Sequence, residues 1–287
     1  MQTTTAPGLI GLVLTENAAR VGVEPFFMEL IAGMEEALAP AGDSMLLLVV
    51  PDLDAELATY ERWASDGTVK AVVVVNLVHD DARPARLAAL GLPAVLAGHY
   101  AGPVASTGLH TDDAGAIVAA VNLLGSLGHR VVGRVSGPSD LVHTAERSAA
   151  MLAAGAHLGI QVHVVEADYS AESGVRGARE LLARQPAPTA ILFDNDVMAA
   201  AAEEDLVRSG IRVPEQVSLL AYADSALCEL AVPPLSALSI DAHEQGVGLG
   251  RAVLGVLAGA PPADHSGPPI RITPRDSTGP APAGEGA

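Results

Sequence analysis

Two polar positions in the sequence carry side chains that suit the binding of a small polar molecule. Asn195 follows the apolar run Ala190–Phe193 and precedes an Ala-rich stretch. That position is typical of a helix N-cap, and it also suits an amide that faces a ligand, because the carboxyl ends of parallel strands line binding crevices. Arg147 stands next to Glu146 near the start of a predicted helix. Its guanidinium could form a surface ion pair, or it could bind hydroxyls or a carboxylate through parallel hydrogen bonds.

Recognisable catalytic and metal-binding patterns are absent from the sequence. The nine histidines include no HExxH, and Cys228 is the single cysteine, so there is no Cys/His zinc pattern and no internal disulfide. No GxSxG motif marks a hydrolase nucleophile. The single lysine, Lys70, precedes an apolar run instead of lying in a glycine loop, which excludes a P-loop. We therefore expect no enzymatic activity, no metal and no cofactor.

The glycine-rich run GVGLG, residues 246–250, invites comparison with a dinucleotide-binding fingerprint. That fingerprint requires a strand before it and the start of a helix after it. Here the run lies inside a predicted helix, from about Ala242 to Ala258, and follows no strand. We therefore predict that these glycines allow close packing between helices.

The charge balance bears on the partners of the chain. Sixteen Lys and Arg against 34 Asp and Glu give a formal net charge of −18 over 287 residues. Binding to nucleic-acid phosphates depends on clustered basic residues, so this chain is not expected to hold DNA by itself. The apolar runs are too short for a membrane span, and Met1–Pro7 lacks the charged start of a secretory signal. The expectation is a cytoplasmic protein without a membrane partner.

Short β-branched runs alternate with longer helical stretches, and this alternation occurs twice along the chain. It predicts an α/β fold with two doubly wound parallel-sheet lobes and a ligand cleft between them. The predicted strands are Leu9–Leu14, Leu46–Val50, Ala71–Val75, Ala94–Ala97, Arg130–Val135, Val162–Glu166, Ala190–Phe193, Val217–Tyr222 and Pro269–Thr273. The predicted helices are Pro25–Ala39, Leu53–Ser65, Pro84–Leu90, Asp112–Leu127, Thr144–Leu158, Ala171–Arg184, Asp196–Ser209 and the late helix near 242–258.

The segments IGLVLTEN and VEPFFMELIAGMEEAL are the first of several blocks, in order along the chain, that resemble the effector-binding region of the LacI/GalR transcriptional regulators. These two are similar to that family's first strand and NPFF-type helix. LLGSLGHRVVGRVSGP and TAERSAAMLAAGAHLGI resemble its LGH passage and the arginine-bearing helix after it. PTAILFDNDVMAAAAEEDLVRSGIRVPEQVSLLAYADS, PPLSALSIDAHEQGVGLG and ITPRDST resemble its remaining blocks. The resemblance runs from about Gly8 to Thr278 and implies a periplasmic-binding-protein-like fold of type I.

The resemblance implies interleaved lobes instead of one division of the chain. The N-terminal lobe would hold residues 8–128 and 242–262, and the C-terminal lobe residues 129–241 and 266–278. Residues 279–287, rich in Pro, Gly and Ala, are expected to form a disordered tail. Members of the family move their lobes around a small effector and so change the spacing of two DNA-binding heads in a homodimer. Such an effector acts through its different affinities for the two states.

Carried over residue by residue, the resemblance implies eight effector-binding positions. Arg147 matches the family's effector-binding arginine, and Asn195 matches the amide of its ND pair. Asp112 matches an acid at the head of a long helix, and Tyr169 lies where an aromatic ring often stacks on a sugar. The full set is Phe26, Asp112, His143, Arg147, Tyr169, Asn195, Tyr222 and Asp224.

Two positions depart from the family pattern. The family's G[FY]D[DN] reads Ala221-Tyr222-Ala223-Asp224 here, so Ala223 replaces its ligand-gripping acid. Ile240 replaces its glutamine. These changes predict a less polar site, with either a less hydroxylated or more apolar effector, sugar-like or nucleoside-like, or a degenerate site.

The resemblance also implies partners. Family members carry a helix-turn-helix head before the first lobe. We expect that DNA-binding head to be absent here, whether removed or naturally missing, so that operator DNA is bound only through it. A homodimer is expected, paired through Pro25–Ala39, the strand edges near Val72–Leu77 and Ser225–Leu235. The leading function is the ligand-sensing and dimerisation module of a LacI-type repressor. The alternative is an extracytoplasmic solute-binding protein of a sugar transporter.

Overall fold

The structure is a computed structural model, and it describes residues 8–15 and 24–283. Its strands are β1 Leu9–Thr15, β2 Ser44–Val50, β3 Ala71–Val74, β4 Ala94–Ala97, β5 Thr107–His110, β6 Val131–Ser136, β7 Gln161–Glu166, β8 Ala190–Phe193, β9 Ser218–Tyr222, β10 Ser236–Ser239, β11 Asp264–Ser266 and β12 Arg271–Thr273. Its α-helices are α1 Pro25–Leu38, α2 Leu53–Asp66, α3 Arg83–Leu90, α4 Asp113–Ser126, α5 Val142–Leu158, α6 Ala171–Leu182, α7 Asp196–Arg208, α8 Ala226–Leu230 and α9 Ala242–Leu257.

The chain divides into two compact units, each assembled from separated stretches of sequence. The first unit holds the residues up to Thr111 and the segment Asp241–Pro268, and the second holds Asp112–Ile240 and the residues from Pro269 onward. Each unit contains one six-stranded sheet with helices packed on it. The predicted α/β class with two doubly wound, mostly parallel sheets is confirmed.

The sheet of the first unit has the order β11-β5-β4-β3-β1-β2, and every neighbouring pair is parallel. Strand β3 is interior and fully buried, as its unbroken run of valines predicts. The edge strands are β2 and β11. The expectation of a pairing edge near Val72–Leu77 is therefore wrong for β3, because its residues are covered on both faces and hydrogen-bonded on both sides.

Helix α9 joins the first unit by packing tightly on α1. A Cβ atom at Gly246 would lie 2.1 Å from the carbonyl oxygen of Leu30, and one at Gly33 would lie 1.9 Å from that of His243. Only glycine lets two helix backbones approach this closely. The GVGLG run therefore serves helix packing, as the sequence predicts.

The sheet of the second unit has the order β12-β10-β9-β8-β6-β7, with β12 antiparallel to β10 and the other pairs parallel. Successive residues of β8 face opposite sides. Ile191 and Phe193 pack with α6 and α7, whereas Ala190 and Leu192 pack with α4 and α5. Two apolar layers thus enclose the sheet and fix the positions of its strand ends.

Two boundaries differ from the predicted ones. Helix α4 packs against α5 and β12, so residues 112–128 belong to the second unit and not to the first. The start of the expected disordered tail is hydrogen-bonded. Gly279 accepts from His129 over 3.1 Å, and the N–H of Ala281 donates to Leu127 over 2.9 Å. Residues 284–287 of that tail lie outside the described residues.

Two features typical of other classes of protein are absent from the described residues. No helix there is long and apolar enough to cross a membrane. No group of three or more His, Cys, Asp or Glu side chains there is arranged to hold a metal ion.

Candidate functional site

Three strand ends of the second unit bring polar side chains together. Strands β9, β8 and β6 are parallel neighbours, so their carboxyl ends open on one edge of the sheet. Arg134 lies in β6, Asp194 follows β8, and Tyr222 ends β9. Helices α4 and α5 cover this face and add Asp113 and Arg147. We call these five side chains the polar cluster.

Arg147 is the member of the polar cluster with unused hydrogen-bonding capacity. It lies in the second turn of α5, and its side chain is only 10% exposed. Its Nε donates to Oδ1 of Asp113 over 2.6 Å, and its guanidinium carbon lies 3.5 Å from the centre of the Tyr222 ring. Its Nη1 is 3.8 Å from Oδ2 of Asp194, too far for a hydrogen bond. Within the described residues, neither Nη atom donates a hydrogen bond.

The two acids at the start of α4 have different roles. Asp112, which the sequence analysis placed in the site, is exposed, and its carboxylate accepts from the N–H of Gly115 over 2.8 Å as the N-cap of α4. Asp113 is buried and accepts from both Arg147 and the Tyr222 hydroxyl, each over 2.6 Å. The acid that joins the polar cluster is therefore Asp113, which the sequence analysis did not name.

Arg134 and Asp194 form a buried ion pair next to Arg147. Neither side chain is exposed, and Arg134 donates from Nε and Nη2 to the two carboxylate oxygens of Asp194 over 2.7 and 2.6 Å. Arg134 also donates to Ser148, and Asp194 accepts from the N–H of Gly137. This two-pronged pair holds the ends of β6 and β8 in register and presents Asp194 towards Arg147.

His143 and Tyr169 form a second pair beside the polar cluster. His143 Nε2 lies 2.9 Å from the Tyr169 hydroxyl, and the Thr144 hydroxyl lies 3.3 Å from it. The Tyr169 ring lies against Gly137, where a Cβ atom would come within 2.1 Å of the ring. Tyr169 has φ +67°, a left-handed conformation that is unfavourable for a tyrosine. Such strain persists only where neighbouring contacts impose it.

Asn195 supplies one of those contacts. Its Oδ1 accepts from the N–H of Met198 over 2.8 Å, so it is the N-cap of α7, as the plain interpretation of the sequence predicts. Its Nδ2 donates to the carbonyl oxygen of Tyr169 over 3.0 Å. Asn195 thus fixes the backbone of Tyr169, and its role towards a ligand stays a prediction.

Asp224 and Phe26, two further predicted site residues, have other partners within their own units. Asp224 is hydrogen-bonded to both Nη atoms of Arg275 and to the hydroxyl of Ser239, so it anchors the segment after β12. Ala223 has φ +70°, and its N–H donates to Leu238. Phe26 belongs to the first unit, where it is half-buried and packs edge-to-face on Phe27.

The electrostatics of the polar cluster keep its acids ionised. Burial alone would raise the pKa of Asp113, but the charge of Arg147 and the Tyr222 hydroxyl outweigh it and lower that pKa below its usual value. Burial opposes ionisation of Asp194 in the same way, and Arg134 overcomes it. Burial and the neighbouring Arg147 lower the pKa of His143 to about 4, so this imidazole is neutral at pH 7.

Five of the eight predicted positions therefore meet in or beside the polar cluster: His143, Arg147, Tyr169, Asn195 and Tyr222. Sequence reasoning missed Asp113, Arg134 and Asp194. A signal for Arg134 was available, because an arginine inside the apolar strand VVGRVS must be buried and a buried charge needs a partner. The acid directly after the neighbouring strand was the natural candidate for that partner.

Two interleaved α/β units with parallel sheets define the class of periplasmic-binding-protein-like domains, and the comparisons agree. The family model described as "Periplasmic binding protein-like domain" matches residues 121–278. The chain is 30% identical over 256 residues to the HTH-type transcriptional regulator CelR of Thermobifida fusca, covering 87% of this chain and 75% of that protein. It is 31% identical over 219 residues to the HTH-type transcriptional regulator AglR of Rhizobium meliloti, of which it spans 61%.

Solved structures narrow the class to a family. A LacI family transcriptional regulator from Bifidobacterium animalis subsp. lactis superposes with a TM-score of 0.86 at 33% identity, covering 95% of this chain and 98% of that one. A CelR–cellobiose complex superposes with a TM-score of 0.85 at 28% identity, covering 94% and 84%. The chain belongs to the LacI family of transcriptional regulators and represents their effector-binding region.

Proposed function

We propose that this chain is the ligand-sensing and dimerisation module of a LacI-type transcriptional regulator, without catalytic activity. It binds a small-molecule effector at the polar cluster and controls DNA binding by a helix-turn-helix segment. DNA contact resides in that segment because a net charge of −18 does not suit the binding of phosphates. The relatives are regulators of transcription, so a cytoplasmic regulator is proposed in preference to a transporter component.

One observation supports the proposed position of the effector-binding site. Arg147 is almost buried, is held by Asp113 and stacks on Tyr222, yet within the described residues its two Nη atoms donate no hydrogen bond. A buried guanidinium with unused donors is costly unless another molecule completes its hydrogen bonds. An effector with suitably placed oxygen atoms would meet that need.

A thermal-shift screen over sugars, sugar phosphates and nucleosides tests this site. Cellobiose belongs in the screen because a related regulator was solved in complex with it. We expect a compound that raises the Tm of the wild type and loses that effect in Arg147→Lys, because a lysine cannot reproduce the planar fork. Arg179→Lys, at an exposed ion pair with Asp205, is the matched control and should respond like the wild type. Equal responses of all three proteins would place the ligand elsewhere.

The polarity of the effector follows from two replacements. Ala223 and Ile240 stand where the family carries an acid and a glutamine, and Asp224 is already paired with Arg275. The site therefore offers fewer polar anchors, and we propose an effector that is less hydroxylated or more apolar than a simple hexose. Tight binding of a plain hexose would contradict this part of the proposal.

An exposed apolar patch on the second unit supports the dimer. Leu230 and Val232 are 77% and 76% exposed, and Leu227 beside them is also exposed. All three lie within the segment Ser225–Leu235 that the sequence analysis assigned to pairing. Exposed apolar clusters of this kind mark interaction surfaces, and a second copy of the chain is the proposed occupant.

Sedimentation equilibrium tests the dimer. We expect the wild type to dimerise at micromolar concentration, and Leu230→Asp to shift it to monomer because the charge must be desolvated on association. Leu152→Asp, at an exposed leucine of α5, is the control and should leave the association unchanged. A monomeric wild type would contradict the proposed dimer.

A further inference from the structure

The charges of the polar cluster cancel. Arg134 and Arg147 contribute two positive charges, and Asp113 and Asp194 contribute two negative charges, so the net charge is 2 − 2 = 0. His143 is neutral at pH 7 and adds none. Each acid is within 2.6–2.7 Å of its arginine, so the charges are compensated in close contact.

This balance limits what Arg147 can bind. An anionic group could reach the guanidinium of Arg147 only next to the carboxylates of Asp113 and Asp194, which are 2.6 and 3.8 Å from it. In a buried site the resulting repulsion is weakly screened, and like charges a few ångströms apart cost several kcal/mol. A neutral hydroxyl or carbonyl oxygen can accept from Nη without that penalty.

We propose that Asp113 is the specificity-determining residue that restricts the effector to uncharged molecules and excludes phosphorylated or carboxylated ones. This inference rests on the proposed effector site. Asp113 occupies the position on Arg147 that an anionic ligand would otherwise take. It is locked there by the Tyr222 hydroxyl and by its place in the first turn of α4. The acid therefore acts as the internal counter-ion of Arg147.

Asp113→Asn tests this assignment, because it removes one negative charge while keeping a carbonyl oxygen for Tyr222. Inorganic phosphate is the first probe, titrated at constant ionic strength against chloride. We expect phosphate to raise the Tm of Asp113→Asn by several degrees relative to chloride, and to leave the wild type unaffected. Asp112→Asn is the matched control, because it makes the same charge change at the exposed neighbour and asparagine is also a good N-cap. It should respond like the wild type.

A second measurement compares ligands on the wild type and on Arg147→Lys, so it does not depend on the folding of Asp113→Asn. Matched pairs such as ribose with ribose 5-phosphate, and glucose with glucose 6-phosphate, are compared by calorimetry together with cellobiose. Every compound that binds in an Arg147-dependent manner should be uncharged.

The outcomes separate the two proposals. Preferential, Arg147-dependent binding of a phosphorylated compound would overturn the role of Asp113 and leave the effector site intact. Phosphate stabilisation of the wild type equal to that of Asp113→Asn would do the same. Binding that does not respond to Arg147→Lys would overturn the effector site itself. A phosphate response confined to Asp113→Asn supports the counter-ion role whichever compounds the panel identifies.

Discussion

Arg83 in the first unit and Arg147 in the second are both buried beside two acids, and they differ in how completely they are hydrogen-bonded. In the first unit Arg83 donates from Nε to Asp81, from Nη1 to both oxygens of Glu56, and from Nη2 to Asp81. Its Nη atoms also donate to the carbonyl oxygens of Val75 and Asn76. Arg83 therefore connects α2 to the loop after β3 with all its nitrogens engaged.

Arg147 in the second unit is also buried beside two acids, but only its Nε is hydrogen-bonded within the described residues. The flat face of its guanidinium stacks on the Tyr222 ring, whereas Arg83 has further hydrogen-bond acceptors. The comparison teaches that burial of an arginine does not by itself reveal its role. A completely bonded guanidinium is a structural link, whereas one with unused donors is suited to bind a ligand.

The largest expected effect is on the structural link. Arg83→Met leaves Glu56 and Asp81 buried without their cation, and should lower the free energy of unfolding by about 3–5 kcal/mol. The loss should be greatest near pH 8 and smaller near pH 5. The reason is that burial already raises the pKa of Glu56 despite Arg83, so this acid can take up a proton when Arg83 is removed.

Urea denaturation at both pH values measures this loss. Arg86→Met removes an exposed pair with Glu61 and serves as the control, with an expected change below about 1 kcal/mol. Equal losses for the two variants would show that Arg83 is not the link that its bonding indicates.

Arg147→Met should lower the free energy of unfolding by less, about 1–2 kcal/mol. The reason is that Asp113 still accepts a hydrogen bond from the Tyr222 hydroxyl and Asp194 still pairs with Arg134. The same urea denaturation measures it. A loss as large as that of Arg83→Met would remove the contrast between the two arginines and count against a binding role.

A buried acid that has no cation beside it among the described residues sharpens the comparison. Glu203 of α7 is 2% exposed, and its Oε1 has no hydrogen-bond partner in the described residues. Burial raises its pKa from 4.5 to about 7. The folded state therefore holds this proton more tightly than the unfolded state. Its stabilising effect is complete below about pH 4.5 and is lost as the pH rises through 7.

Glu203→Gln should remove that pH dependence, since the amide stays neutral throughout. At pH 8 the variant should be more stable than the wild type by about 1–2 kcal/mol, and at pH 4.5 the difference should vanish. Thermal unfolding at the two pH values measures both. Glu204→Gln, at an exposed neighbour on the same helix, is the control and should change little. A Glu203→Gln variant that is no more stable than the wild type at pH 8 would contradict the raised pKa.

The sequence predicted most elements because alternating apolar runs report burial directly. Valines at 72–75 and the glycines at 246–250 needed no tertiary information to indicate a buried strand and a close helix contact. Strands β5, β10 and β11 and helix α8 span only three to five residues each, too short for any periodicity to appear. Their positions depend on pairing with distant strands.

The polar cluster was predictable only in part. Arg147, Tyr169 and Tyr222 could be assigned by resemblance, but Asp112 and Asp113 are adjacent acids at a helix start, and sequence alone does not distinguish the cap from the buried partner. Asp194 directly precedes the N-cap of α7, and its partner Arg134 is 60 residues away, so no local pattern pairs the two. Partnerships of this kind are set by strand order, which no local pattern encodes.

The exchange of segments between the units has a consequence for synthesis on the ribosome. Leu249 and Val253 of α9 belong to the same core as Leu12 and Val73. The apolar surface that α9 covers in the first unit therefore stays exposed until the entire stretch Asp112–Ile240 has been translated. In many proteins the N-terminal domain folds first, while the rest of the chain is still being synthesised. Here the first unit cannot complete its core in that order, because α9 is translated after most of the second unit.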